Sequence, residues 1–212
     1  MGILKRKKLI AVAALTLTAM LLFTTVSFAD EVTAGTDNPV NETESDKVTV
    51  MLTGDLMCQR IQQLRAFDGT SYNFKPTFKY VKNIFDKADI VVGNLETLVS
   101  KSLPLSKDMS RLQNKPYLNA PEEWLDALEY AGFDGFIMAN NHACDGGKTG
   151  IVETLEELDS RSIPHTGLFA DKNSKRYFII EENGIKVGVI SYAAYYNLKD
   201  KFLTDEEQDI ML

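Results

Sequence analysis

Asn141 and His142, inside the stretch Phe136-Ile-Met-Ala-Asn-Asn-His-Ala-Cys-Asp-Gly-Gly-Lys-Thr-Gly150, are the side chains of this sequence best suited to chemistry. Imidazole changes charge near neutral pH and ligates metals through a neutral nitrogen. Two other apolar runs end in the same way: Val48-Thr-Val-Met-Leu-Thr-Gly54 leads into Asp55, and Ile90-Val-Val-Gly93 leads into Asn94-Leu95-Glu96. Carboxylate oxygen, amide oxygen and imidazole nitrogen together make a mixed donor set suited to divalent metals, from Mg or Mn through Fe to Zn. Asp145, three residues after His142, is spaced to accept the second ring N–H and so fix the tautomer. A lone Gly-Asp turn after a strand is commonplace. Three strand-terminal loops, one of them setting a histidine beside asparagines, are what point to a site.

Such loops work only if the strands before them are neighbours. In open α/β sheets, ligands bind outside the carboxyl ends of the strands, and the intervening pattern supplies the required elements. Val48, Val50 and Leu52 alternate with Thr49, Met51 and Thr53 at the period of a strand. A polar loop with Asp68-Gly69 and Pro76 follows, and Phe78, Val81, Ile84, Phe85 and Ala88 then recur at helical spacing before the Ile90 strand. The connection from Thr97 to Asn119 is long, polar and interrupted by Pro104 and Pro116. Loops of that kind are usually functional or mobile, and this one is expected to cover the site or meet a partner. Pro121, Glu122 and Glu123 open a helix whose apolar stripe is Trp124, Leu125, Leu128 and Ala131, and Gly132 stops it. A strand over Phe133–Ala139 and a helix with Ile151, Leu155 and Leu158 complete the third unit. Tyr177–Ile180 and Lys186–Tyr192 meet through Asn183-Gly184, a strong hairpin signal. The order predicts a layered α/β domain.

The 212 residues carry a net charge of −7. Lys5-Arg6-Lys7-Lys8 precedes an uncharged run from Leu9 to Ala29 that ends Ser27-Phe28-Ala29, the pattern of a cleaved secretory signal over residues 1–29. At ~1.5 Å per residue the run is also long enough to be an N-terminal membrane anchor. Either way the domain is expected outside the cytoplasm, extracellular or in the cell envelope. Removing those four basic residues takes the charge from −7 to −11, a surface that repels nucleic acid; a phosphate-bearing or polyanionic substrate would need a local patch or a bound cation. Residues 30–47 are acidic and hold little that is large and apolar, which suits a flexible tether, so the folded domain is expected over 48–212. Cys58 and Cys144, both on site loops, are either a disulfide, which export permits, or two free thiols.

Gly54-Asp-Leu-Met-Cys-Gln-Arg60, Gly93-Asn-Leu-Glu96 and Ala139-Asn-Asn-His-Ala-Cys-Asp-Gly-Gly147, followed by Gly150-Ile-Val-Glu-Thr-Leu-Glu-Glu-Leu158, resemble successive blocks of the capsule synthesis protein CapA family, whose members take part in poly-γ-glutamate production. That family is in turn similar to calcineurin-like metallophosphoesterases, four-layer α/β sandwiches around two divalent metals. The resemblance implies metal ligation by Asp55, the Asn94/Glu96 block and Asn141, with His142 contacting the scissile phosphate or its leaving group. Arg60 matches the arginine closing the first block and suits anion binding. It implies an anionic polymer or phosphate ester as substrate and a membrane-bound synthase as a possible partner. A general envelope phosphodiesterase and a non-catalytic accessory subunit are the alternatives. The family's later His-Trp-Gly and Gly-His-His-Pro-His blocks have no counterpart here, and His165 matches none, so about half of the coordination shell is expected from these residues, as in an N-terminal fragment.

Overall fold

A computed structural model describes residues 47–108 and 118–212. Four parallel strands lie side by side in chain order: β1 (Val50–Asp55), β2 (Ile90–Asn94), β3 (Gly135–Ile137) and β4 (His165–Thr166). Parallel neighbours require crossover connections. These are supplied by α1 (Arg60–Ala66), α2 (Lys75–Phe78) and α3 (Lys82–Phe85) between β1 and β2, α4 (Glu123–Ala131) before β3, and α5 (Gly147–Ser160) before β4. β5 (Phe178–Glu182) and β6 (Ile185–Val189) form a separate antiparallel pair, and α6 (Lys199–Phe202) and α7 (Asp205–Met211) follow. The described residues are thus mixed α/β around one parallel sheet. Residues 1–46, over which a signal and a tether are expected, and residues 109–117 of the long connection lie outside them.

β2 sits in the middle of the core. Ile90, Val91 and Val92 are at most 2% exposed, the continuous apolar run of a strand covered on both faces. A Cβ on Gly93 would lie 2.5 Å from Leu56 Cδ1 and 2.7 Å from Phe133 Cε1, so the β1 loop closes over β2 only because glycine is there. Trp124, Leu125, Leu128 and Ala131 of α4 are buried as their spacing predicts, and Trp124 meets Phe74 and Phe78 with ring centroids 5.4 and 5.6 Å apart. Gly132, at φ 99°, caps α4 in the left-handed region.

Two expectations are corrected. The single helix read over Phe78–Ala88 is two short ones, because three-residue hydrogen bonds from Lys79 N to Pro76 O and from Val81 N to Phe78 O tighten the chain into a turn. α1 falls where a polar loop was read. Its apolar Ile61 and Leu64 are exposed while Gln63 is buried, so no apolar stripe announced it, and the Gln59/Gln62 capping box is its entry signal. In the edge strand β1 the expected alternation is present, and Val50 and Leu52 form the more exposed set, Leu52 at 74%. The hairpin turn is as read, with Asn183 at φ 52° and Gly184 at φ 76°.

Candidate functional site

The carboxyl ends of β1, β2 and β3 bring three loops together. An irregularity in the β1–β2 ladder between Leu52 and Asp55 sets Asp55 opposite Asn94, and Asn94 in turn pairs with Ile137 at the end of β3. A bulge at that place re-aims a side chain. Here it levels the three strand ends. Asn94 Nδ2 donates to Asp55 Oδ1 at 2.9 Å, and Asn140 Nδ2 donates to Asn94 Oδ1 and to Leu95 O, both at 3.0 Å. Asn140 Oδ1 accepts from His142 N at 3.0 Å, closing the turn that presents the imidazole.

His142 Nδ1 lies 2.8 Å from Asp145 Oδ2, which also accepts Leu118 N at 2.8 Å. With the carboxylate on Nδ1, the neutral ring carries its proton there and Nε2 faces Glu96 Oε1 at 3.9 Å. Glu96, His142 and Asp145 are all buried, at 6, 8 and 4% exposure. Burial, a hydrogen bond to Asp55 and the charge of Asp55 push the Glu96 carboxyl up to about 7, against the opposing pull of His142. Two carboxyl groups in contact cannot both ionise cheaply, so the pair holds a proton near neutral pH.

The same crowding tests the rim for a metal. Among the described residues no three His, Cys, Asp or Glu side chains converge in metal-holding geometry. What the rim does offer is the Asp55/Glu96 pair, whose mutual repulsion a divalent cation would relieve, with Asn94 as a neighbouring oxygen donor. The donors fit a cation in part. Cys58 and Cys144 are both free thiols and fully buried, with no disulfide between them, and burial pushes them up to about 12 and about 11.

Of the residues singled out in the sequence, the structure brings together Asp55, Asn94, Glu96, His142 and Asp145. Asn141 neighbours them in sequence, and its carbonyl accepts from Asn197 N at 2.9 Å, but the amide inside the hydrogen-bonded chain is that of Asn140. Arg60 opens α1, its Nε buried without a hydrogen-bond partner, and it does not join the chain. His165 stands at the start of β4 with Nδ1 2.9 Å from Ile163 O, away from the rim loops.

Three supporting residues carried no sequence signal. Gln63, fully buried, donates to Cys58 O and Asn119 O at 2.9 Å and accepts from Lys107 N at 2.9 Å, tying α1, the first loop and the long connection into one knot. Asn119 fastens that connection to itself through Ser100 N, Ser100 O, Leu103 O and Ser106 Oγ. Glu153 of α5 accepts from Ser100 Oγ, Ser102 N and Ser102 Oγ, which pull its carboxyl down to about 2. The base of the Thr97–Asn119 connection is therefore fixed, and its return, at Leu118, is bonded to Asp145 beside the imidazole.

Residues 49–210 match the family described as bacterial capsule synthesis protein PGA_cap. The capsule biosynthesis protein CapA of Bacillus anthracis is 30% identical over 156 residues, covering 73% of this chain and 36% of that protein. The PGA biosynthesis protein CapA of Bacillus subtilis (strain 168) is 26% identical over 160 residues, covering 74% and 40%. The chain thus spans at most 40% of the length of these curated relatives.

Proposed function

The chain belongs to the bacterial capsule synthesis protein family, and from that premise we propose that it serves the synthesis or export of an anionic cell-surface polymer of the poly-γ-glutamate type. The finer reading places it outside the cytoplasm, on a metallophosphoesterase-like four-layer scaffold to which the described sheet contributes one part. Among the described residues no helix is long and apolar enough to cross a membrane. The rim of Asp55, Glu96, His142 and Asp145 is proposed as the reaction centre, acting on a phosphate ester or a phosphorylated intermediate of polymer assembly.

The observation that carries this reading is the Asp145–His142–Glu96 line. Asp145 holds the imidazole by Nδ1 and turns Nε2 toward Glu96 Oε1, 3.9 Å away, where it can give or take a proton at a group bound in front of Glu96. A buried carboxylate behind histidine favours the imidazolium that forms when Nε2 accepts a proton. Asp55 and Glu96, with Asn94, would hold a divalent cation, which when bound supplies Lewis-acid stabilisation of phosphate oxygens and a water of lowered pKa. Asn140 keeps Asn94 turned toward Asp55 and sets the backbone of His142. Arg60 is proposed to steady an anionic substrate.

Turnover of bis-p-nitrophenyl phosphate by this chain, and by the longer gene product where the gene continues, tests the assignment. His142→Ala is expected to lower kcat by roughly 10²–10⁴-fold with bound metal retained. Unchanged turnover removes His142 from the chemistry. Deleting the gene separates capsule work from general phosphodiesterase work, since only the former abolishes γ-linked glutamate polymer.

A further inference from the structure

Away from the rim, the acidic chain carries a basic strip. Residues 72–87 hold Lys75, Lys79, Lys82 and Lys87 against one acidic residue, Asp86, in a chain of net charge −7. Lys75 lies on α2, Lys82 on α3 and Lys79 in the turn between them, with Lys87 in the turn after α3. Lys75 Nζ and Lys82 Nζ stand 5.7 and 5.6 Å from the centroid of Tyr130, and Lys79 Nζ stands 5.6 Å from that of Tyr80. Tyr80 is 83% exposed, Tyr130 42%, and Val81 and Ile84 beside them are exposed as well. Ammonium groups therefore alternate with aromatic and aliphatic surface.

The acidic residues of α4 do little to neutralise this strip. Glu122 is paired with Lys101 at 2.9 Å, and Asp126 and Glu129 with Arg161 at 2.5 and 2.8 Å. Lys82 has Asp86 at 2.6 Å, and Glu123 and Asp126 share a small hollow with Lys75. Lys79 and Lys87 face solvent, and Lys75, although beside Glu123 and Asp126, is exposed as well.

We propose that this lysine–tyrosine strip binds a linear polycarboxylate, gripping internal segments of the polymer at a distance from the reacting end. The proposal rests on the reading that the chain serves an anionic polymer, and deepens it by naming where the polymer lies. Single solvent-exposed ammonium–carboxylate pairs are weak, so a monomer gains little here. Repeated carboxylates on one chain engage several lysines at once, and linkage converts weak contacts into useful avidity. The exposed rings, with Val81 and Ile84, give cover to the methylenes between carboxylates. Repulsion from the acidic remainder of the surface confines the polymer to the strip.

Anisotropy titration of fluorescein-labelled poly-γ-glutamate with the full chain, at low and at physiological salt, tests this without any turnover. The Lys75→Glu/Lys79→Glu variant is expected to bind at least ~10-fold more weakly and with a shallower salt dependence. Lys172→Glu/Lys175→Glu, the same charge change before β5, is expected to leave affinity within about twofold. Both pairs are exposed, and thermal midpoints equal to wild type verify that folding is intact. Equal weakening by the two pairs would reduce the effect to net charge and overturn the proposal, as would no wild-type binding at low salt. Loss of binding to phosphatidylglycerol vesicles with polymer binding kept would assign the strip to a lipid surface instead. Phosphodiester turnover is measured independently of all these arms, so the rim assignment stands or falls separately.

Discussion

The rim of the parallel sheet and the β5–β6 hairpin are built on opposite principles. At the rim, Asp55, Asn94 and Asn140 meet across sequence separations of 39 and 46 residues, and Gln63, Asn119 and Asp145 pin their loops through buried polar bonds. The hairpin joins adjacent residues through Asn183-Gly184 and leaves Ile179 52% and Ile185 37% exposed. One region depends on long-range polar satisfaction, the other on local turn chemistry. Buried polar bonds that are all made fix a unique arrangement, and each becomes expensive to break. A solvated hairpin has less to lose.

The largest stability effect should therefore come from a residue that touches neither substrate nor metal. Gln63→Ala strips partners from Cys58 O, Asn119 O and Lys107 N at once. Asn119 O keeps Ser106 N and Oγ, but leaving Cys58 O and Lys107 N unsatisfied costs about 2–4 kcal/mol together, readable as a lower urea midpoint with an unchanged slope. A loss below ~0.5 kcal/mol would mean the knot is not cooperative, and the contrast with the hairpin would fade.

A smaller, pH-dependent effect comes from Glu96. Its folded-state carboxyl titrates near about 7 against an ordinary 4.5, so the folded protein holds its proton more tightly than the unfolded chain does. The resulting stability is fully present below the unfolded value, declines as pH rises from 4.5, and is lost once pH passes about 7. Glu96→Gln should flatten that slope, with a gain on the order of 1–3 kcal/mol at mildly alkaline pH. Added Mn²⁺ should flatten it in the wild type by compensating the carboxylate pair. Parallel pH profiles for the wild type and Glu96→Gln would show the crowding to be harmless.

What could be read in the sequence follows the same division. The hairpin was legible because Asn-Gly dictates its turn locally, and α4 because an apolar stripe, an N-terminal proline and a C-terminal glycine agree. The strand ends carrying Asp55, Glu96 and His142 were legible as residue types at the ends of apolar runs, and the structure does gather them. The part played by the Asn140 amide was not legible, since nothing in an Asn-Asn pair tells which amide folds back over the turn. Gln63 could not be found, because a buried glutamine on a helix with exposed Ile61 and Leu64 reads as solvent-facing. The two β1 faces were ambiguous for a related reason: alternation gives a period but does not say which side is covered.

The smallest effect belongs to the hairpin, and it sets the scale for the rest. Gly184 sits at φ 76°, and a Cβ there would meet nothing within 4 Å, so Gly184→Ala costs only the left-handed backbone strain, about 1 kcal/mol. The hairpin leans on the sheet through Phe178, whose ring occupies the space where a Cβ on Gly135 would stand. Opening the turn should therefore loosen β5 and β6 while β1–β3 keep their pairing. Amide hydrogen exchange should quicken from Phe178 to Val189, with protection at Ile90–Asn94 and phosphodiester turnover both unchanged. Equal acceleration at β2 would show one cooperative unit spanning both regions, and the hairpin would then have to be counted among the supports of the rim.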